Sequence, residues 1–166
     1  MPEFALFAFH ITMSLLSSTL IAMLFVWPWL QRMPREQALA WMIAPHMVIR
    51  FIGISFLFAG VVSPAVSSSF TWSTAWGDVI AGLLAIVATV GLSRNASWST
   101  GAAWLFNLEG AADLLLAYFK GVSGHIPPGA FGAAYYIPST MVPMLLVTHA
   151  LTFALLTRRT RRVVEG

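Results

Sequence analysis

Five stretches of continuous apolar sequence, near residues 4–27, 41–62, 75–93, 102–120 and 135–157, leave this chain little choice of fold. Each is close to the roughly 20 residues a helix needs to cross the hydrocarbon of a bilayer. None alternates apolar and polar residues as a barrel strand does. The pattern predicts an all-α integral membrane protein, a bundle of five transmembrane helices forming one domain over 1–157, with a basic tail at 158–166. Composition agrees: 58% of residues are hydrophobic and 9% charged, against about 25% charged in soluble domains.

Lys and Arg set the orientation. Arg32 and Arg35 lie between the first two stretches, Arg94 between the third and fourth, and Arg158, Arg159, Arg161 and Arg162 in the tail. Only Lys120 lies on the opposite side. Cytoplasmic loops are the ones enriched in Lys and Arg, so the N-terminus is expected outside and the C-terminus in the cytoplasm, in the inner membrane of a cell. Trp27, Trp29, Trp41, Trp98 and Trp104 fall at the expected inner ends, and Trp72 and Trp76 at an outer end, as an interfacial aromatic belt does. The first stretch reads as a retained helix rather than a cleaved leader. It opens on Glu3 without a basic residue, and Trp27-Pro28-Trp29 stands where small residues would be needed for cleavage.

Several function classes are excluded. There is no cysteine, hence no disulfide, no thiolate metal site and no cysteine nucleophile. The net charge of +3 is concentrated in the tail, where it reads as a topology signal and a contact for membrane lipids rather than for nucleic acid. Asn95-Ala96-Ser97 matches a glycosylation sequon but falls in an expected cytoplasmic loop.

The chemistry resides in polar side chains inside the apolar stretches, which are costly there and mark either function or a buried pair. His46 and Arg50 are four residues apart and share a helix face, and so do Glu109 and Asp113. At about 1.5 Å per residue, His46, Arg50, Asn107, Glu109, Asp113 and His149 fall into one layer in the cytoplasmic half of the bundle. Arg50 cannot lose its proton and must find a carboxylate or water. Asp113 is its expected partner, with Glu109 second. His46, Asn107 and Glu109 are candidate ligand-binding residues; Asp113, His149 and Arg50 are candidate catalytic ones. Asp78 and His10 lie near the outer ends of their stretches and are expected to stand apart from Arg50. Asp78 opens a face of small residues, Ala81, Gly82, Ala85 and Thr89, suited to close helix contact. His10 with Ser14, Ser17 and Ser18 reads as a packing stripe. Pro138 and Pro143 predict a kink in the outer half of the last helix. The uncharged loop 121–134 is too apolar for a solvated linker and is expected to lie on the bilayer or to dip into the bundle as a lid.

The strings Pro45-His46-x-x-x-Arg50-Phe51-x-Gly53, Gly77-Asp78, Phe106-Asn107-x-x-Gly110-x-x-Asp113 and Ile137-Pro138-x-Thr140-x-Val142-Pro143, followed by Thr148-His149, resemble an uncharacterised family of small five-span bacterial membrane proteins. The resemblance covers nearly the whole chain and brings no activity, cofactor or substrate with it. In that pattern the position of Glu109 is not usually acidic, which leaves Asp113 as the main carboxylate.

Four classes of function fit these residues. One is an enzyme acting on a lipophilic small molecule, with Asp113 or His149 as acid or base beside Arg50. Another is a small transporter or proton relay, disfavoured by the lack of an inverted repeat. A third is a cofactor protein, with b-type haem between His46 and His149 or a non-haem metal on His46, His149 and Asp113. The fourth is an accessory subunit in which the polar layer only latches helices together. No cofactor is favoured, and the oligomeric state is open.

Overall fold

The computed structural model describes residues 3–158. Arg159, Arg161 and Arg162 of the expected tail lie outside them. Five long helical elements account for most of the described chain: α1 (Glu3–Leu30), α2 (Arg35–Leu57), α3 (Ser68–Ser93), α4 (Ser99–Ser123) and α5 (Ile137–Thr157). Among the described residues there is no strand, only an isolated bridge between Ala59 and Val62. The chain is all-helical, and α1, α2, α3 and α5 are each long and apolar enough to cross a membrane. α4 is as long, with 25 residues, but carries Asn107, Glu109 and Asp113.

The helices depart from the expected bounds in ways their sequences explain. Pro45 offers no N–H, and α2 turns at Ala44–Pro45 before resuming at His46. Its second half, Arg50–Leu57, is wound as a 3-10 helix, which rises faster per residue than an α-helix. It stops where Phe58 turns extended and Gly60 takes a positive φ of 84°. α3 begins seven residues earlier than its apolar run, because the Ser67 hydroxyl accepts the Phe70 N–H (3.3 Å) and caps it. α5 opens with a π-wound turn, Ile137–Met141. In such a turn the Pro138 carbonyl looks to the N–H of residue 143, which proline lacks. The Tyr118 hydroxyl donates to that carbonyl instead (2.7 Å).

Of three apolar clusters, the two largest are separated by a polar layer, and a third joins Leu114 to Val142 and Leu145. At the end carrying Arg32, Arg35 and Arg94, all five helices contribute, with Leu30, Leu39, Ile43, Ala88, Phe106 and Leu155 buried. The small-residue face of α3 packs on α2, where the Phe51 ring lies over Gly82. At the opposite end Phe56, Phe70 and Phe131 meet. Phe131 belongs to a 3-10 segment, Pro128–Tyr135, within the apolar loop. This segment folds over the end of the bundle, with Phe131 and Ala134 buried there. Ala133 N donates to Val61 O (3.0 Å) and Ser63 N to Ala130 O (2.8 Å). Gly132 makes the turn at φ 52°, where any Cβ would strike the Val61 carbonyl. α1 is the least enclosed helix, and its Glu3–Ile21 portion has no fully buried residue.

At the basic end, Arg35 reaches the C-terminus of α5. Its Nε donates to Leu155 O (3.0 Å), which also accepts the Arg158 N–H (3.2 Å), and its Nη2 donates to Leu156 O (2.7 Å), one of the last carbonyls, which have no partner four residues on. We therefore expect Arg35→Met to lower unfolding free energy by about 1.5–3 kcal/mol, the usual range for hydrogen bonds from a charged donor. The same substitution at exposed Arg32 should change it by less than about 0.5 kcal/mol. Equilibrium unfolding of the two variants checks this.

Candidate functional site

The polar layer is organised by Arg50, which is 1% exposed. Its Nη1 donates to Asp78 Oδ1 (2.6 Å) and to Asp113 Oδ2 (3.1 Å). Its Nη2 donates to the Gly110 carbonyl (2.6 Å) and to His149 Nε2 (3.0 Å). One side chain of α2 thus binds α3, α4 and α5.

The pairing with Asp113 is the expected one. Asp78 is a correction, because it was expected to stand apart and instead makes the shorter contact. The reason is the position of the helix start. With α3 beginning at Ser68 rather than near residue 75, Asp78 lies about three turns into the helix and level with Arg50. Asp113, expected in the half of the bundle nearest the basic end, is 14 residues from the basic end of α4 and 10 from the other, so it lies near mid-height, slightly toward the far end.

The residues behind Arg50 hold it in one orientation. Since Nη2 donates to His149 Nε2, that nitrogen carries a lone pair and the proton is on Nδ1. Nδ1 donates to Asn107 Oδ1 (2.7 Å), and Asn107 Nδ2 donates back to the His149 carbonyl (3.2 Å). Asn107 therefore fixes both the tautomer and the place of His149. His46 stands beside this chain. Thr148 Oγ1 gives its proton to Leu145 O (2.7 Å), so His46 Nε2 donates to Thr148 Oγ1 (2.9 Å), and His46 Nδ1 has no partner.

Glycines make the space. A Cβ at Gly53 would collide with the Asp78 carboxylate, one at Gly77 with the Asp113 carboxylate, and one at Gly110 with the His149 ring and Arg50. Of these only Gly110 belongs to the polar layer by its carbonyl. The others appear in the sequence only as neighbours in the motif strings.

On the far side of the carboxylates is a cavity of about 450 Å³. Asp78 and Asp113 line it together with Thr74, one helical turn before Asp78, and its remaining walls are mostly apolar, with Phe56, Phe70, Phe131 and Tyr118 among them. α1 adds Phe4, Phe7, Ala8 and Ile11, one face of that helix. Thr74 was not singled out in the sequence, and its spacing from Asp78 was the signal available. Arg50, His46, Asn107 and His149 do not line the cavity. Glu109 is half-buried, makes no hydrogen bond to Arg50 and leaves Oε2 without a partner. His10 is separate, as expected. It bonds Tyr135 Oη (3.2 Å) and Thr140 Oγ1 (3.1 Å), joining α1 to α5.

The geometry bears on cofactors. The His46 and His149 rings touch edge to face, with centroids 4.8 Å apart and Phe106 against both. Bis-histidine haem requires the iron and macrocycle between the two rings, and these rings leave no such slot. Both nitrogens of His149 are already engaged. Among the described residues no group of three His, Asp or Glu side chains is arranged to hold a metal ion.

Breaking the cluster one residue at a time should be costly. Arg50→Leu leaves two buried carboxylates without their cation and is expected to cost about 3–5 kcal/mol. Adding Asp78→Asn to it should recover part of that loss, with a coupling energy above about 1 kcal/mol. Strict additivity in this double-mutant cycle would show that the 2.6 Å contact carries no energy.

No curated protein and no solved structure matches this chain. In keeping with the resemblance to an uncharacterised family, a family model described as a domain of unknown function, DUF8737, matches residues 6–157, a range holding every member of the cluster, and the chain belongs to that family.

Proposed function

We propose that this chain is a five-span protein of the inner membrane, one transmembrane domain over 1–157 with a basic cytoplasmic tail, that binds a lipophilic small molecule in the cavity above Asp78 and Asp113. The observation that carries the reading is an apolar cavity of about 450 Å³ ending on two carboxylates that share one buried guanidinium. Binding sites for small molecules commonly combine apolar walls of this size with a few convergent polar groups.

The membrane setting is supported by where side chains face. On α4, Asn107 and Gly110 point into the bundle, whereas Leu105, Leu108, Leu115 and Phe119 are exposed. Exposed apolar faces this extensive would drive aggregation in water and are ordinary in lipid. At about 1.5 Å per residue, α4 is long enough to cross despite its polar residues. This gives a fifth span and the N-out, C-in orientation that the basic residues favour.

The chemistry such a site can supply is proton exchange with the bound molecule at the Asp113 carboxyl, which lines the cavity directly. Arg50 and His149 serve as positioning residues, since Asn107 orients His149, His149 orients Arg50, and Arg50 orients both carboxylates. His46 and Glu109, away from the cavity, keep a supporting place in the polar layer.

Two measurements test the proposal. Reporter fusions near residues 33, 64, 96 and 126 and after 166 are expected to read inside, outside, inside, outside, inside; an inside reading near 64 overturns the topology. For the cavity, adamantanol serves as a compact neutral probe. Saturable binding to the purified protein in lipid nanodiscs is expected, with at least a tenfold loss in Ala117→Trp, which fills the cavity from α4. Equal binding in both proteins would leave the polar layer as a latch between helices.

A further inference from the structure

The cavity has a polar end as well as apolar walls, and the groups there specify what they would hold. Resting on the reading of the cavity as a ligand site, we infer that its ligand is a lipophilic amine bound as the ammonium ion, with the charged nitrogen at Thr74, Asp78 and Asp113 and the apolar body toward the phenylalanines.

Three observations lead to the ammonium. The first is Thr74, a residue of the cavity wall that is 7% exposed and whose Oγ1 is closed off without any hydrogen-bond partner. A buried hydroxyl without a partner is costly, and a turn about χ1 that presents it to a donor in the cavity relieves the cost. The second is the state of the two carboxylates. Arg50 takes Oδ1 of Asp78 and Oδ2 of Asp113, and among the described residues the other oxygen of each receives no hydrogen bond. The polar end therefore offers acceptors, with no cation of its own facing inward, since Arg50 is enclosed behind the carboxylates. The third is charge. Beside one guanidinium, two carboxylates this close stay ionised together only with a further positive partner; without one, a proton on either carboxyl takes that place. An ammonium group supplies that charge and three donors at once. A neutral alcohol supplies one donor and no charge, and a carboxylate adds repulsion.

The surrounding wall suits the same ion. Tyr118 lines the cavity five residues after Asp113 on α4, and aromatic faces attract cations within about 6 Å. The Tyr118 hydroxyl is committed to Pro138 O, so the residue offers its ring rather than a competing donor.

An isosteric series tests the inference: adamantylamine, adamantanol and adamantanecarboxylate, each titrated into the full-length protein in nanodiscs of uncharged lipid, where membrane partitioning of the amine is measured on protein-free discs and subtracted. The amine is expected to bind at least tenfold more tightly than the alcohol, and the carboxylate to show no saturable binding. Asp113→Asn is expected to remove most of the preference for the amine over the alcohol. Thr74→Val, which lies outside the ion pair and keeps the side chain's shape, is expected to weaken the amine several-fold and serves if Asp113→Asn does not fold. Equal affinity for amine and alcohol, or tighter binding of the carboxylate, overturns the ammonium assignment and leaves the cavity reading standing. Absence of saturable binding for all three overturns both.

Discussion

The bundle is arranged around one guanidinium that cannot give up its proton. At 1% exposure Arg50 has to be neutralised and hydrogen-bonded by protein, and four of its five N–H groups are. Each bond constrains a neighbour. The Gly110 carbonyl can reach Nη2 only because no side chain stands on that face of α4. The Asp78 carboxylate can reach Nη1 only because Gly53 leaves room beside it on α2. His149 can accept from Nη2 only in the tautomer that Asn107 imposes. The approach distances of α2, α3, α4 and α5 are thus set at the polar layer, and the apolar clusters above and below fill the space that remains.

α1 stands outside this arrangement. It shares no bond with Arg50 and is tied to the rest through His10, through the Glu3 carboxylate on Gly129 N, and through apolar contacts. Its contribution to the site is a wall. Phe4, Phe7, Ala8 and Ile11, spaced as one helix face, close the side of the cavity that the Arg50-centred helices leave open. The core of the site is therefore rigidly bonded and its lateral wall is held mainly by packing.

The helices were legible in the sequence because hydrophobicity reports them directly, and so were Arg50, Asp113, Asn107, His46 and His149 of the polar layer, but not Asp78. Arg50 in an apolar run demands a carboxylate, and Asp113 was named from that demand alone. What could not be read was register. The first two turns of α3 contain Ser68, Ser69, Thr71, Ser73 and Thr74, which lower its apparent hydropathy and disguise a helix as a loop. The cap at Ser67 is a local hydrogen bond that apolarity does not register. Losing seven residues there moved Asp78 two turns toward an end and hid its pairing. The 3-10 winding from Arg50 onward compounds this, since depth reckoned at a constant rise per residue fails where the winding changes. Thr74 was invisible for the same reason, as its place on the cavity wall depends on that register.

A latch between helices needs one carboxylate for one arginine. The second is hard to justify on stability, because taking another charge out of water costs more than a secondary contact returns. Asp113 adds a 3.1 Å bond to a nitrogen already engaged at 2.6 Å, and it brings like-charge repulsion with Asp78. Its side chain is also the more accessible of the two, at 11% against 9%, and both border the cavity. On the proposed reading, the second carboxylate stands where a bound donor reaches it rather than where it would strengthen packing. A lone Arg50–Asp78 pair would hold the helices with less electrostatic strain but would give the cavity no acceptor that responds to what enters it. On that reading, the weakness of the second carboxylate as a structural element is the same property that suits it to the polar end of a ligand site.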